Sequence, residues 1–152
     1  MPDVLNRNVD DYPLTGFRFE VEIDGIVEAL FTACSGLSIE TEVVEYQEGG
    51  ENTHTHKLKG QTKYSNIVLK RGVTSSKDFF AWMDESVTKP PGRGRKNGII
   101  RIFDDNGTTV KSSWEFKEAW PCKFEGPQFD TGSSAALIET LELAHHGLKR
   151  TQ

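Results

Sequence analysis

AALIETLELAHHGL, residues 135–148, satisfies two incompatible periods. Leu137, Ile138, Leu141 and Leu148 fit one face of a helix, and the Ala, Leu and Glu content favours a helix by propensity. The same stretch also alternates. Leu137, Glu139, Leu141 and Leu143 stand against Ile138, Thr140, Glu142 and Ala144, as in a strand buried mainly on one side. Local physics leans to helix. Whether the chain ends in an α-helix or in another β-strand turns on this segment.

Most of the remaining chain has period two. Phe17, Phe19, Val21 and Ile23 alternate with Arg18, Glu20 and Glu22, and Asp24-Gly25 makes a two-residue hairpin turn into IVEALFTAC. Ser35-Gly36 breaks that second strand. SIETEVVEYQE alternates again, with Val43-Val44 marking a bulge or a change of face. The turn Glu48-Gly49-Gly50-Glu51-Asn52 leads into THTHKL, and NIVLKR is a further short strand. GIIRIFD and TTVKSSWEFKEAW form a hairpin around Asp105-Asn106-Gly107.

One segment changes period. In TSSKDFFAWMDESV, Phe79, Phe80, Met83 and Val87 share a helical face, so a helix is expected over about 76–87 with Phe80 in the core. Thr74, Ser75 or Ser76 can cap it, and Pro90-Pro91-Gly92 ends it. About eight strands and one helix make a mainly β (α+β) chain, a β-barrel or sandwich with an attached helix.

The chain has 152 residues, enough for one domain with one core, and a formal charge of −5, which lacks the basic footprint of a nucleic-acid binder. Cys34 and Cys122 are far apart and read as reduced, buried thiols. No apolar run suggests a signal peptide or a membrane span, so synthesis in a cytoplasm is expected.

Catalytic and metal chemistry find little support. His54 and His56 lie two apart on a strand, a sound geometry for two imidazoles on one ion, as in cupins. The following KLKGQTK has no carboxylate, Arg95 stands where a cupin-like barrel wants its later His, and His145 and His146 face opposite ways on a strand. A cupin-like metal-dependent enzyme is therefore the weakest alternative, and no metal or cofactor is expected. GRGRKNG lacks the GK[ST] of a phosphate loop and follows a helix rather than a strand. No Ser or Cys sits in a nucleophile elbow.

FRFEVEIDG, SGLSIETEVVEYQEGGEN, KLKGQTKYSNIVLKRGVTSSKDFFAWM, AWPCKFEGP and AALIETLELAHHGL occur in an order that resembles the tail tube proteins of contractile injection systems and contractile phage tails. The resemblance runs from about Tyr12 to Leu148. It implies the fold of the type VI secretion tube protein Hcp, a small two-sheet β-barrel with one packed α-helix, and makes residues 136–146 a strand. It also implies a single tail-tube domain over 1–152, with 1–12 as an N-terminal arm and 13–148 as barrel plus helix. The function implied is structural, not enzymatic. Homohexameric rings stack into an inner tube, with a contractile sheath, baseplate and tube-cap proteins as partners and cargo or a tape-measure protein in the lumen. An adaptor or initiator ring at the baseplate is the alternative. The product would be part of a phage-like particle.

Two stretches depart from that pattern: THTH after GGEN, and the basic loop PPGRGRKNG. Glu48, Gly49, Gly50, Glu51 and Asn52 are expected at the tip of a projecting hairpin that contacts the next ring. Arg93, Arg95 and Lys96 are candidate partners for its acids.

Overall fold

The computed structural model describes residues 19–24, 26–27, 31–50, 53–73, 77–104 and 106–152. The N-terminal arm and the Ser/Thr candidates for the helix cap lie outside these residues. Ten strands and one helix follow in the order β1 (Phe19–Ile23), β2 (Ile26–Val27), β3 (Phe31–Ser35), β4 (Ile39–Tyr46), β5 (His56–Tyr64), β6 (Ile67–Gly72), α1 (Asp78–Thr88), β7 (Lys96–Phe103), β8 (Val110–Glu125), β9 (Ile138–Ala144) and β10 (Gly147–Arg150).

Segment 138–144 is a strand. Its residues pair on one side with β6, from Ile67↔Leu143 to Gly72↔Ile138, and on the other with the C-terminal half of β8. Two flanking ladders far away in sequence supply what no local propensity does, and they override the helical leaning. Glu139, Leu141 and Leu143 then point inward, buried, beside Ile67, Leu69 and Arg71 of β6.

Among the described residues all pairings are antiparallel, and the strands other than β4 and β5 make two sheets that share β8. The N-terminal half of β8 lies between β7 and β10, with β1 and β2 beyond β7. Its C-terminal half pairs with β9, followed by β6 and β3. Between the halves Glu118 takes φ 52°, a left-handed value rare outside glycine, and the β7–β8 register slips there. Among the described residues the hydrogen-bonded path ends at β2 and β3 and does not close. The two-sheet, one-helix architecture expected from the sequence is present, as two sheets folded on one core.

That core joins Val21, Ile23 and Ile100 of one sheet to Ile67, Leu69, Leu141 and Leu143 of the other, with Phe116 between β7 and β10. Gly98 is the cross-strand partner of Phe116, and a Cβ there would lie 2.1 Å from the ring. The aromatic therefore fills space that only glycine leaves open. The expected β1–β2 hairpin is present, since Ile23 pairs with Ile26, with Gly25 outside the described residues. The stretch expected as one second strand is two, because β3 leaves β2 and pairs with β6 in the other sheet.

The helix face differs from the expected one. Phe79 and Trp82 are buried, whereas Phe80 is 60% exposed and Val87 71%. Phe79 stacks on Phe31 with centroids 5.5 Å apart, and Trp82 Nε1–H donates to the Gly94 carbonyl at 2.8 Å. Phe80 instead meets Phe124 edge-on near the surface at 5.7 Å. Lys77 is the N-cap and makes no side-chain capping bond. The helix ends at Thr88 because Pro90 forces Lys89 out of the helical region, to φ −85°, ψ 154°.

Candidate functional site

β4 and β5 form a sheet of their own, outside the two-sheet body. Every residue of β4 is exposed. The arm is rooted where Gly36 takes φ 90° and packs so closely that a Cβ would sit 2.0 Å from the Asn66 carbonyl oxygen. Tyr64 at the end of β5 lies against His145, centroids 5.6 Å apart, and His145 Nε2 is 2.9 Å from the Ser65 carbonyl oxygen. Imidazole and glycine together hold the arm's base to the body.

The arm's faces follow from its register. Thr41 pairs with Thr62 but Val43 with Lys59, so the extra residue of the bulge lies on β5 beside Gly60, across from the expected Val43-Val44. One face carries Ile39, Thr41, Val43 and Glu45; the Thr41 and Thr62 hydroxyls meet there at 3.1 Å. The other carries Val44 opposite Leu58 and Tyr46 opposite His56. Val44, Tyr46 and Leu58 are 44%, 54% and 53% exposed, an apolar row with no cover in the monomer.

At the tip Gly49 and Gly50 make the turn, Gly50 at φ 105°. Glu48 Oε2 is 3.3 Å from His56 Nε2, and the rings of His54 and His56 meet edge-to-face at 4.9 Å. Glu51 and Asn52 lie outside the described residues. Among the described residues no three His, Cys, Asp or Glu side chains converge as metal ligands would.

The basic loop sits at the body end where the arm is rooted. Arg95 Nη1 is 3.0 Å from His146 Nδ1 and 3.8 Å from Glu118 Oε2, and His146 itself is 2.7 Å from that carboxylate. Lys96 opens β7 opposite Ala119, and the Arg93 N–H donates to the Pro90 carbonyl at 3.2 Å. Lys89 pairs with Glu85, holding that carboxyl below its usual range chiefly through their hydrogen bond.

The opposite end of the same sheet exposes several large apolar side chains among polar loop residues. β8 ends at Glu125 and β9 begins at Ile138, and loop 126–137 between them carries Phe129, 79% exposed. Leu137, Ile138 and Val73 are exposed beside one another, the Val73 N–H donating to the Leu137 carbonyl at 2.9 Å. A depression of about 350 Å³ is lined there by Gln128, Asp130, Ser133, Ala135, Ala136, Leu137 and Ile138. Neither this patch nor the apolar row of the arm was expected. Val44, Tyr46 and Leu58 stood in the sequence pattern, but the loop has no period to read.

Both cysteines are held toward the protonated thiol. Burial pushes the Cys34 thiol up to about 11, and burial followed by the nearby Glu142 carboxylate raises that of Cys122.

A long exposed hairpin on a two-sheet body with one helix is therefore a scaffold with surfaces rather than a pocket with reactive groups. The family model of the T4-like virus tail tube protein gp19 matches residues 15–149. The chain belongs to that tail tube family. No curated protein matches it significantly. This tail tube protein is similar, at 26% identity and TM-score 0.82, to a chain in an extracellular contractile injection system, the PVC sheath–tube complex in its extended state; 93% of each chain is covered. A chain of the anti-feeding prophage cap, the tube-terminating cap, superposes with TM-score 0.83 at 27% identity over 99% of both chains. Hcp1 from Flavobacterium johnsoniae shares the fold, with TM-score 0.56 at 18% identity over 88% of this chain and 94% of that one. The tail tube protein is structural and not an enzyme.

Proposed function

We propose that this tail tube protein forms homohexameric rings that stack into the inner tube of a phage-like contractile injection particle. The observation that carries the reading is the pair of unpaired edges on the sheet β3-β6-β9-β8. Among the described residues β3 pairs only with β6, and the C-terminal half of β8 only with β9. Two strand edges without a ladder partner invite strand addition between copies, and a heterologous contact that closes makes a ring.

The outward face of that sheet would line the lumen. It carries Lys70 and Lys123 against Glu125 and Glu142, with Ser35, Val68 and Thr140 between them, so charges balance. Such a wall suits passage of protein cargo or a tape-measure protein without holding it, and it recognises no nucleic acid sequence. The sheath named with one similar chain and the terminating cap and baseplate named with others are the partners proposed for this chain. Placement in the main tube is favoured over an adaptor ring, since the matching family is that of the tube itself. No helix among the described residues is long and apolar enough to cross a membrane. After synthesis in a bacterial cytoplasm, assembly into the particle would be the route outward.

Negative-stain microscopy of the purified protein tests the reading. Six-fold rings and short tubes are expected. A monomer at every concentration, or a ring of another order, overturns it.

A further inference from the structure

We infer that the exposed stripe of α1, Phe80 and Val87, is covered by β3 of a second copy of this chain, so that helix and strand edge form one seam. The inference rests on the ring reading above and names the side chains that hold neighbouring subunits together. Phe79 and Trp82 turn to the body, whereas Phe80 and Val87, which share a helical face at i and i+7, stay in water.

That stripe follows an open strand edge. In the order β7-β8-β9, β7 covers one side of β8 as far as Ala119 and β9 lies on the other. From Trp120 to Glu125 the side that β7 leaves has no ladder partner among the described residues. Phe80 meets Phe124 edge-on towards one end of this open stretch. At the other end Val87 and Trp120 line one depression of about 370 Å³. Helix and strand thus run antiparallel, and a strand added to the edge would lie against Phe80 and Val87.

β3 of the next copy fits that place. It is the other open edge of the same sheet, paired only with β6 among the described residues. Phe31 and Cys34 are the partners of Arg71 and Leu69, so they turn to the face that α1 covers. Phe31 already stacks on Phe79 of its own copy. Across the seam, Phe80 would join that aromatic pair to its own pair with Phe124. Area points the same way. A ladder edge of the five residues of β3 is roughly 17 Å by roughly 5 Å, or roughly 85 Å². A stable contact takes nearer to about 800 Å² from each partner. One face of α1, with eleven residues, is roughly 16 Å by roughly 10 Å and about triples the strand's share. Because stripe and β3 lie on different edges, the contact is heterologous and closes only as a ring.

Two measurements on the full-length protein test the seam. In the first, hydroxyl-radical footprinting compares rings with monomers separated from them by size. Oxidation of Phe80 should fall several-fold in the ring, and equal oxidation would overturn the inference. The second uses Phe80→Asp with Val87→Lys, each charge placed where the helix dipole favours it so that α1 keeps folding. A folded monomer is expected, with rings reduced at least tenfold in size-exclusion chromatography and negative stain. Rings at the wild-type yield would overturn the inference, and if those rings no longer bound the sheath protein the stripe would be a sheath contact instead. Should the variant not fold, the footprint alone decides. Wild-type protein that forms no rings would be a different result, against the ring reading itself.

Discussion

Two strands of this protein begin with the same three residues and meet opposite fates. Ile39-Glu40-Thr41 opens β4 and Ile138-Glu139-Thr140 opens β9. In β9 the glutamate is buried to 8%, against Arg71 of β6, with Arg71 Nε 2.5 Å from Glu139 Oε1. In β4 the glutamate and every residue after it face water. Propensity and alternation are nearly alike, so what separates the strands is their neighbours. β9 has a ladder on both sides and a sheet across the core, whereas β4 has only β5. A strand pattern therefore predicts pairing without saying what the inward face will touch.

The largest effect should come from the packing over β9. Phe79 lies on the Arg71 guanidinium, whose Cζ is 3.8 Å from the ring centroid, and stacks on Phe31. Phe79→Ala should cost about 4 kcal/mol in urea unfolding, as a buried aromatic truncation does. Phe80→Ala, expected from the sequence to be the damaging change, should cost about 1 kcal/mol, because that ring is mostly in water. Equal losses at 79 and 80 would contradict the buried face found here.

Next come the paired glutamates. Glu139→Ala strands the Arg71 charge in the core, where Nη2 already has no hydrogen-bond partner, and should cost about 3 kcal/mol. Arg71→Met with Glu139→Leu should recover most of that loss, since apolar residues of similar volume replace a buried pair at little cost. Glu40→Ala should stay within about 0.5 kcal/mol. A large loss at Glu40 would mean that the arm packs on the body in solution.

How much was legible follows the same division. The β1–β2 turn, the strand alternation of β1 and the Asn106-Gly107 hairpin were readable, because turn chemistry and period two are local. The helix was readable as a helix but not in its facing. Trp82 is buried because its indole N–H finds the Gly94 carbonyl, a partner in the following loop that no periodicity encodes. The strand identity of β9 came from resemblance, not from its residues. Of the exposed surfaces, the hairpin was legible from the Gly49-Gly50 turn between two alternating stretches. The exposure of Val44, Tyr46 and Leu58 follows from topology, which leaves β4 and β5 outside the two-sheet body.

A smaller effect is expected at the arm's root. Gly36→Ala places a Cβ against the Asn66 carbonyl and forces a left-handed φ on a residue that disfavours it. The cost should be about 2 kcal/mol if the backbone can shift. Rings should still form while the arm's direction changes, read as irregular or shortened tubes. Normal tubes from Gly36→Ala would show that the root is not what aims the arm.

The smallest effect on the fold should come from the tip. Nine residues, 47–55, join Tyr46 to His56, and deleting Gly50 to Thr53 leaves Gln47, Glu48, Gly49, His54 and Thr55. Five residues still make a hairpin loop, so Tyr46 stays opposite His56 and Val44 opposite Leu58. No Cβ at Gly49 or Gly50 would touch anything within 4 Å, and the tip's described side-chain contacts are local ones among Glu48, Thr53, His54 and His56, so unfolding should change by less than about 0.5 kcal/mol. Assembly is where the deletion should tell. An exposed ion pair formed by Glu48 or Glu51 adds at most about 1 kcal/mol, but a ring interface repeats it in every subunit. Rings are expected to persist and long tubes to be lost. Long tubes from the deletion variant, seen by electron microscopy beside wild type, would show that the tip is only a solvent loop.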